Sequence, residues 1–220
     1  MSKGTLYANF RIRTWVPRAL VRTLELPVTV VEPEKDAATF AQKFPLKKVP
    51  TFIDSEGRVL TESMAINYYL VRLCKDTAKQ DQLLGKNDNP FEQSQIVQWQ
   101  SLANSDLLME MLNAFGPLRG DRPYDKNAVE TAKQKVDQIV AVFETRLSQH
   151  QYLVGGRLTL ADLVACATMT RGFNYLFGRE WRAAHPDLVR WFELVKASEI
   201  LKEEYKGFEY IEECLEAPRS

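Results

Sequence analysis

Two adjacent residues, Glu62 and Ser63, offer the clearest binding chemistry in the chain. They precede Ala65, Ile66, Tyr69, Leu70 and Leu73, whose spacing predicts a helix over 63–74. The first N–H groups of a helix have no partner within it, so together with the Ser63 hydroxyl they make a place for a carboxylate. Glu62 beside them suits an ammonium group. The pair fits an amino-acid head group; the alternative is an N-cap serine next to a solvated glutamate. A second group is KKVPTF, Lys47 to Phe52. If the Val49–Pro50 bond is cis, the N–H and C=O of Val49 face a groove and can pair with an extended peptide. A third is the stretch Tyr7 to Thr14, YANFRIRT. Arg11 or Arg13 could hold a thiolate by charge alone, or both could be surface cations. Thr14 offers a hydroxyl, and a helix-capping role also accounts for it. Tyr7 lies inside a strand pattern and reads as a core or sheet-face residue.

Positioning these groups requires ordered elements around them. Thr5–Asn9 and Val28–Glu32 read as strands, with a helix between them that begins near Thr14 and takes Pro17 in its first turn. Asp36–Phe44 reads as a short helix ended by Pro45. Residues 51–53 and 58–60 form a hairpin across the turn DSEG. Strand, helix, strand, helix, strand, strand, helix is the order of a thioredoxin-like fold, and Pro50 opens its third strand. That position predicts a cis bond. Residues 75–90 are polar, contain Gly and Pro, and read as a linker. Everything after them is helical in pattern: 91–115, broken at Gly116–Pro117; 126–149; 160–171, apolar nearly all round and therefore central; and 187–196. Thr159 and Asp162 form a capping box before that central helix, with Leu158 and Leu163 as its hydrophobic staple. The tail after Gly207 reads as loosely ordered. The fold class expected is α/β plus all-α: a thioredoxin-like domain at 1–76, a linker at 77–90 and an all-helical domain at 91–220.

Composition limits the partners. Lys plus Arg and Asp plus Glu number 29 each in 220 residues, so the net charge is zero. Broad phosphate neutralisation is not available, and direct nucleic-acid binding is not expected. Cys74, Cys166 and Cys214 are scattered without a CxxC, so neither a disulfide framework nor a metal site is expected. No apolar run reaches membrane-spanning length, and MSKGTLYANF is not a secretory signal. The expected location is cytoplasmic.

The motifs taken together resemble a known family. VP before a hairpin, ES opening the next helix and TLAD in the helical domain are shared with glutathione transferases. Longer runs resemble the fungal type of elongation factor 1B gamma subunit, in its N-terminal domain: GTLYANFRIRTWVPRAL, FPLKKVP, LTESMAINYYL, QWQSLANSD, LADLVA and FGREWRAAHPDLVRWF. The resemblance covers the whole chain. It implies a ligand site for glutathione, with Lys48 at the glycyl carboxylate, Val49 and Pro50 at the cysteinyl backbone, and Glu62 with Ser63 at the γ-glutamyl group. Active relatives place a Tyr, Ser or Cys at the end of the first strand or the start of the first helix. Residues 7–14 hold no Ser or Cys, which leaves Arg11 and Thr14 as the candidates for activation. No cofactor is required. The resemblance further implies a non-catalytic scaffold that holds the nucleotide-exchange subunit of the elongation factor 1B complex and self-associates. The alternatives are an active transferase and a glutathione-responsive binding module. It also implies that the intact subunit continues past Ser220 into another domain.

Overall fold

The computed structural model describes residues 2–217. Four strands form one sheet in the order β2-β1-β3-β4: β1 (Gly4–Tyr7), β2 (Val28–Val31), β3 (Thr51–Asp54) and β4 (Val59–Leu60). β1 and β2 are parallel, with Leu6 opposite Val30; β3 runs antiparallel to β1, with Leu6 opposite Phe52. Side chains alternate across a strand, so β1 serves two cores. Leu6 packs with Phe52, Ile66 and Leu70 under α1 (Trp15–Thr23) and α3 (Ser63–Leu73). Tyr7 packs on the other face with Phe40 and Phe44 of and beside α2 (Ala37–Lys43). This is the thioredoxin-like unit expected from the element order.

The segment read as a linker is a packed helix. α4 (Thr77–Leu84) is capped by Asp76, whose Oδ1 accepts from the N–H groups of Ala78 and Lys79. Leu83 and Leu84 are buried in the same core as the later helices. Removing each leucine from water is worth about 1.5–3 kcal/mol, which outweighs the polar composition that hid the helix.

The long helix expected at 91–115 is also different. α5 (Pro90–Ser101) passes into a π-helical stretch, Leu102–Leu107, and then into α6 (Leu108–Leu118). α6 does not break at Gly116–Pro117. Pro117 sits in the last turn, where one helical bond is lost. Gly116, Pro117 and Leu118 are buried, and Arg119 and Asp121 close the end through the carbonyls of Phe115 and Gly116. α7 (Lys126–Leu147), α8 (Leu160–Tyr175), α9 (Arg179–Ala184) and α10 (Pro186–Lys196) complete the helical unit. α9 was not foreseen. α8 is buried along nearly its whole length, as its apolar pattern required. At its start Asp162 accepts from the N–H and hydroxyl of Thr159, from the Leu153 N–H and from Trp191 Nε1, all at 2.9–3.0 Å. The capping box is present, and Asp162 also ties α8 to α10. Burial pushes the Asp162 carboxyl up, and its four donors oppose that shift.

The tail after Gly207 has no regular structure through residue 217, but it is tied down. The N–H groups of Ile211 and Leu215 donate to the carbonyls of Phe173 and Tyr175, and Arg179 donates its N–H to Glu212. Ile12, Val16, Ala19 and Leu20 belong to the same core as α5–α10, so the two units share one apolar interior.

Candidate functional site

The site lies where the loop after β1 meets the helical unit. A 3-10 turn (Ile12–Thr14) leads from that loop into α1. Thr14 does not cap the helix. Its buried hydroxyl lies 2.6 Å from the Asn9 carbonyl and 2.7 Å from that of Arg11. Arg18 reaches the same Asn9 carbonyl at 2.9 Å. The Thr14 hydroxyl therefore organises the loop and is not directed at a ligand. Tyr7 is buried and donates to Asp36 Oδ2 at 2.6 Å. Burial, then the Asp36 carboxylate, push its phenol up to about 12. It stays protonated, with its hydrogen bond spent on Asp36.

The Val49–Pro50 bond is cis. Among the described residues neither the N–H nor the C=O of Val49 takes a hydrogen-bond partner. Lys48 and Val49 line a cleft of about 390 Å³ together with Phe10, Arg11, Ile12 and Arg13 from the β1 loop, and with Leu108, Leu112 and Phe115 of α6. Arg119, Asp121 and Arg171 complete its wall.

Ser63 opens α3 as expected and is buried. Glu62 before it is exposed, with φ 67° in the left-handed region, a conformation that costs a non-glycine residue about 1–3 kcal/mol. Ser63 does not line the main cleft. It borders a separate cavity of about 10 Å³ with Asn67, Asn104 and Thr168, and Ile12 and Arg13 wall both spaces. Room of that size takes a single water-sized group. Arg13 is one of its walls: Nε donates to Asn104 Oδ1 at 2.9 Å and Nη2 to the Asn104 carbonyl at 3.0 Å. Asn67, one turn along α3, is fully buried, and both polar atoms of its carboxamide lack partners among the described residues.

The structure thus brings Arg11, Lys48 and Val49 to one cleft and sets Ser63 in a separate space that shares Ile12 and Arg13 with it. Glu62, Pro50 and Thr14 do not line the cleft, and Thr159 and Asp162 are structural. The sequence reading missed Asn67, Asn104, Arg119 and Arg171. Asn67 carried one signal, its i+4 spacing from Ser63 on the buried face of α3. Arg171 carried another, a single cation at the end of an apolar helix.

Comparison with known proteins agrees with this fold. Residues 2–72 match the glutathione S-transferase N-terminal domain and residues 108–199 the glutathione S-transferase C-terminal domain. The solved GST-like domain of elongation factor 1-gamma from Saccharomyces cerevisiae superposes with a TM-score of 0.95 at 54% identity, and each chain is covered in full. The chain belongs to the glutathione-transferase-like domains of elongation factor 1-gamma. Elongation factor 1-gamma 1 of the same yeast is 54% identical over 219 residues, all of this chain but 53% of its own length. The chain therefore spans about half of that elongation factor 1-gamma protein. A glutathione S-transferase of Emericella nidulans is 36% identical over 87% of this chain and 70% of its own. Elongation factor 1-gamma domains and transferases thus share this framework, and the residues in the cleft decide the chemistry.

Proposed function

We propose that this chain is a scaffold domain of the translation elongation machinery, cytoplasmic, which binds the nucleotide-exchange subunit of the elongation factor 1B complex and self-associates. The observation that carries this reading is its 54% identity, with end-to-end superposition, to the GST-like domain of yeast elongation factor 1-gamma. The hydroxyl geometry supports a non-catalytic role. Tyr7 donates to Asp36 and Thr14 is held by loop carbonyls, so neither is free to stabilise a thiolate. Co-expression with the N-terminal region of the exchange subunit tests the proposal. The two co-purify if it holds, and loss of the exchange subunit during purification refutes it.

A second reading, an active transferase, is favoured by the Emericella nidulans relative and by the cations Arg11 and Arg13 in the cleft. Glutathione is its ligand, with Lys48, Val49, Pro50, Glu62 and Ser63 as its site and the arginine charge lowering the thiol pKa. It requires turnover of an aromatic electrophile at saturating glutathione, lost in Ser63→Ala. It also places Arg11 at the activating position, where a serine hydroxyl would donate directly to the thiolate and do more than the charge it replaces, so that Arg11→Ser raises residual turnover. A zero rate in the unsubstituted chain removes this reading.

A further inference from the structure

Asn67 is fully buried on α3, yet its carboxamide oxygen and nitrogen both lack a partner among the described residues. A buried amide left without hydrogen bonds is costly, and almost all such groups in folded proteins are satisfied by protein or by ordered water. Asn67 lines the cavity of about 10 Å³, and so do Ser63 of α3 and Thr168 of α8. Ser63 is 7% exposed and Thr168 4%. Neither hydroxyl has a hydrogen-bond partner among the described residues. The other hydroxyl near this level of α8 behaves differently: Thr170 donates back to the Cys166 carbonyl at 3.1 Å. Three buried side chains with open hydrogen-bonding capacity, from both units of the fold, therefore border one small space. Its volume is at the lower limit for a single water, and a cavity of this kind is hydrated when two or more polar groups meet in it, whereas an apolar one stays dry.

We propose that this cavity is the site of one resident water, bound by Asn67 together with the Ser63 and Thr168 hydroxyls, and that this water joins α3 of the thioredoxin-like unit to α8 of the helical unit. The chemistry of the three side chains suits water. A carboxamide offers both donors and an acceptor, and each hydroxyl can give or take a hydrogen bond, so one molecule with two donors and two acceptors can serve all three. A metal ion does not suit the site: no carboxylate, imidazole or thiol lines it, and the Arg13 guanidinium is one of its walls. The contact between the units is thus apolar through Ile12, Val16, Ala19 and Leu20 and hydrated at this one point. This inference does not depend on the scaffold reading.

The test is a high-resolution crystal structure of the 220-residue chain, grown without glutathione, together with oxygen-17 magnetic relaxation dispersion in solution, which counts waters held inside a protein for longer than nanoseconds. The crystal shows a fully occupied water within hydrogen-bond distance of the Asn67 carboxamide and of at least one of the two hydroxyls. Asn67→Leu replaces the carboxamide by an apolar group of similar shape. The long-lived water count falls by one in that variant and is unchanged in Arg58→Gln, on the distant hairpin. An empty cavity in the parent crystal overturns the proposal, as does density with the short contacts of a metal ion or an Asn67 side chain turned to a protein partner. A water count that stays the same in folded Asn67→Leu also overturns it. The parent crystal alone decides the matter if Asn67→Leu does not fold.

Discussion

Arg13 and Asn104 join the two halves of the site: the guanidinium of one makes two hydrogen bonds to the side chain and the carbonyl of the other. Asn104 lies in the π-helical stretch between α5 and α6. Such stretches insert a residue into the helical repeat and often mark functional positions. Here the inserted turn sets a residue of the helical unit against the loop after β1.

That clasp has a stability consequence. Arg13→Ala removes both bonds and is expected to cost about 1–2 kcal/mol, whereas Asn104→Ala keeps the carbonyl acceptor and costs about half as much. The two substitutions are coupled, so the double variant loses less than the sum. Urea denaturation of the four proteins measures this.

Tyr7 is a packing residue with a satisfied hydroxyl. Tyr7→Phe gives up the bond to Asp36 and is expected to cost about 0.5–1.5 kcal/mol in denaturation. Any glutathione conjugation present in the parent persists unchanged in the variant, because the phenol takes no part in it.

Asp162 holds the start of α8 by four hydrogen bonds in a buried setting. Asp162→Ala leaves the Leu153 and Thr159 N–H groups and the Trp191 indole without an acceptor. The expected loss is about 3 kcal/mol or more, seen as a lower urea midpoint. Trp191→Phe removes one of these donors and costs less.

Glu92 and Arg157 form a pair at 2.6 Å that ties α5 to the loop before α8, and Arg157 also donates to the Asp81 carbonyl on α4. The hydrogen bond from Arg157 holds the Glu92 carboxyl below its ordinary value. A group depressed in the fold adds stability that is complete above its unfolded pKa and is lost as pH falls through the folded one. Acidification below about pH 4.5, the ordinary glutamate range, therefore removes this contribution. Arg157→Gln costs about 1–2 kcal/mol at pH 7 and flattens that part of the pH profile, as stability measured from pH 7 to pH 3 would record.

The legible parts of the molecule were those fixed by neighbours in sequence. The cis link before β3, the helix opened by Ser63 and the Thr159–Asp162 box each depend on a few adjacent residues of distinctive type. What escaped depends on distant contacts. Asn104 acts through a π turn that shifts the face of its helix, and the pattern QWQSLANSD reads as an ordinary helix without it. α4 was hidden because its two leucines sit at one end of a polar run. The tail past Gly207 owes its order to carbonyls on α8 and a carbonyl–amide link to Arg179, none of which local composition encodes. The cationic cleft draws residues from five stretches of chain, and a net charge of zero concealed it.

The most direct test of the scaffold account is calorimetric titration of this chain with the purified N-terminal region of the exchange subunit, with and without saturating glutathione. The account predicts saturable binding with the same affinity in both conditions, since linkage would make any coupling reciprocal. No measurable binding in either condition would contradict it, and binding that changes with glutathione would instead identify a ligand-responsive module.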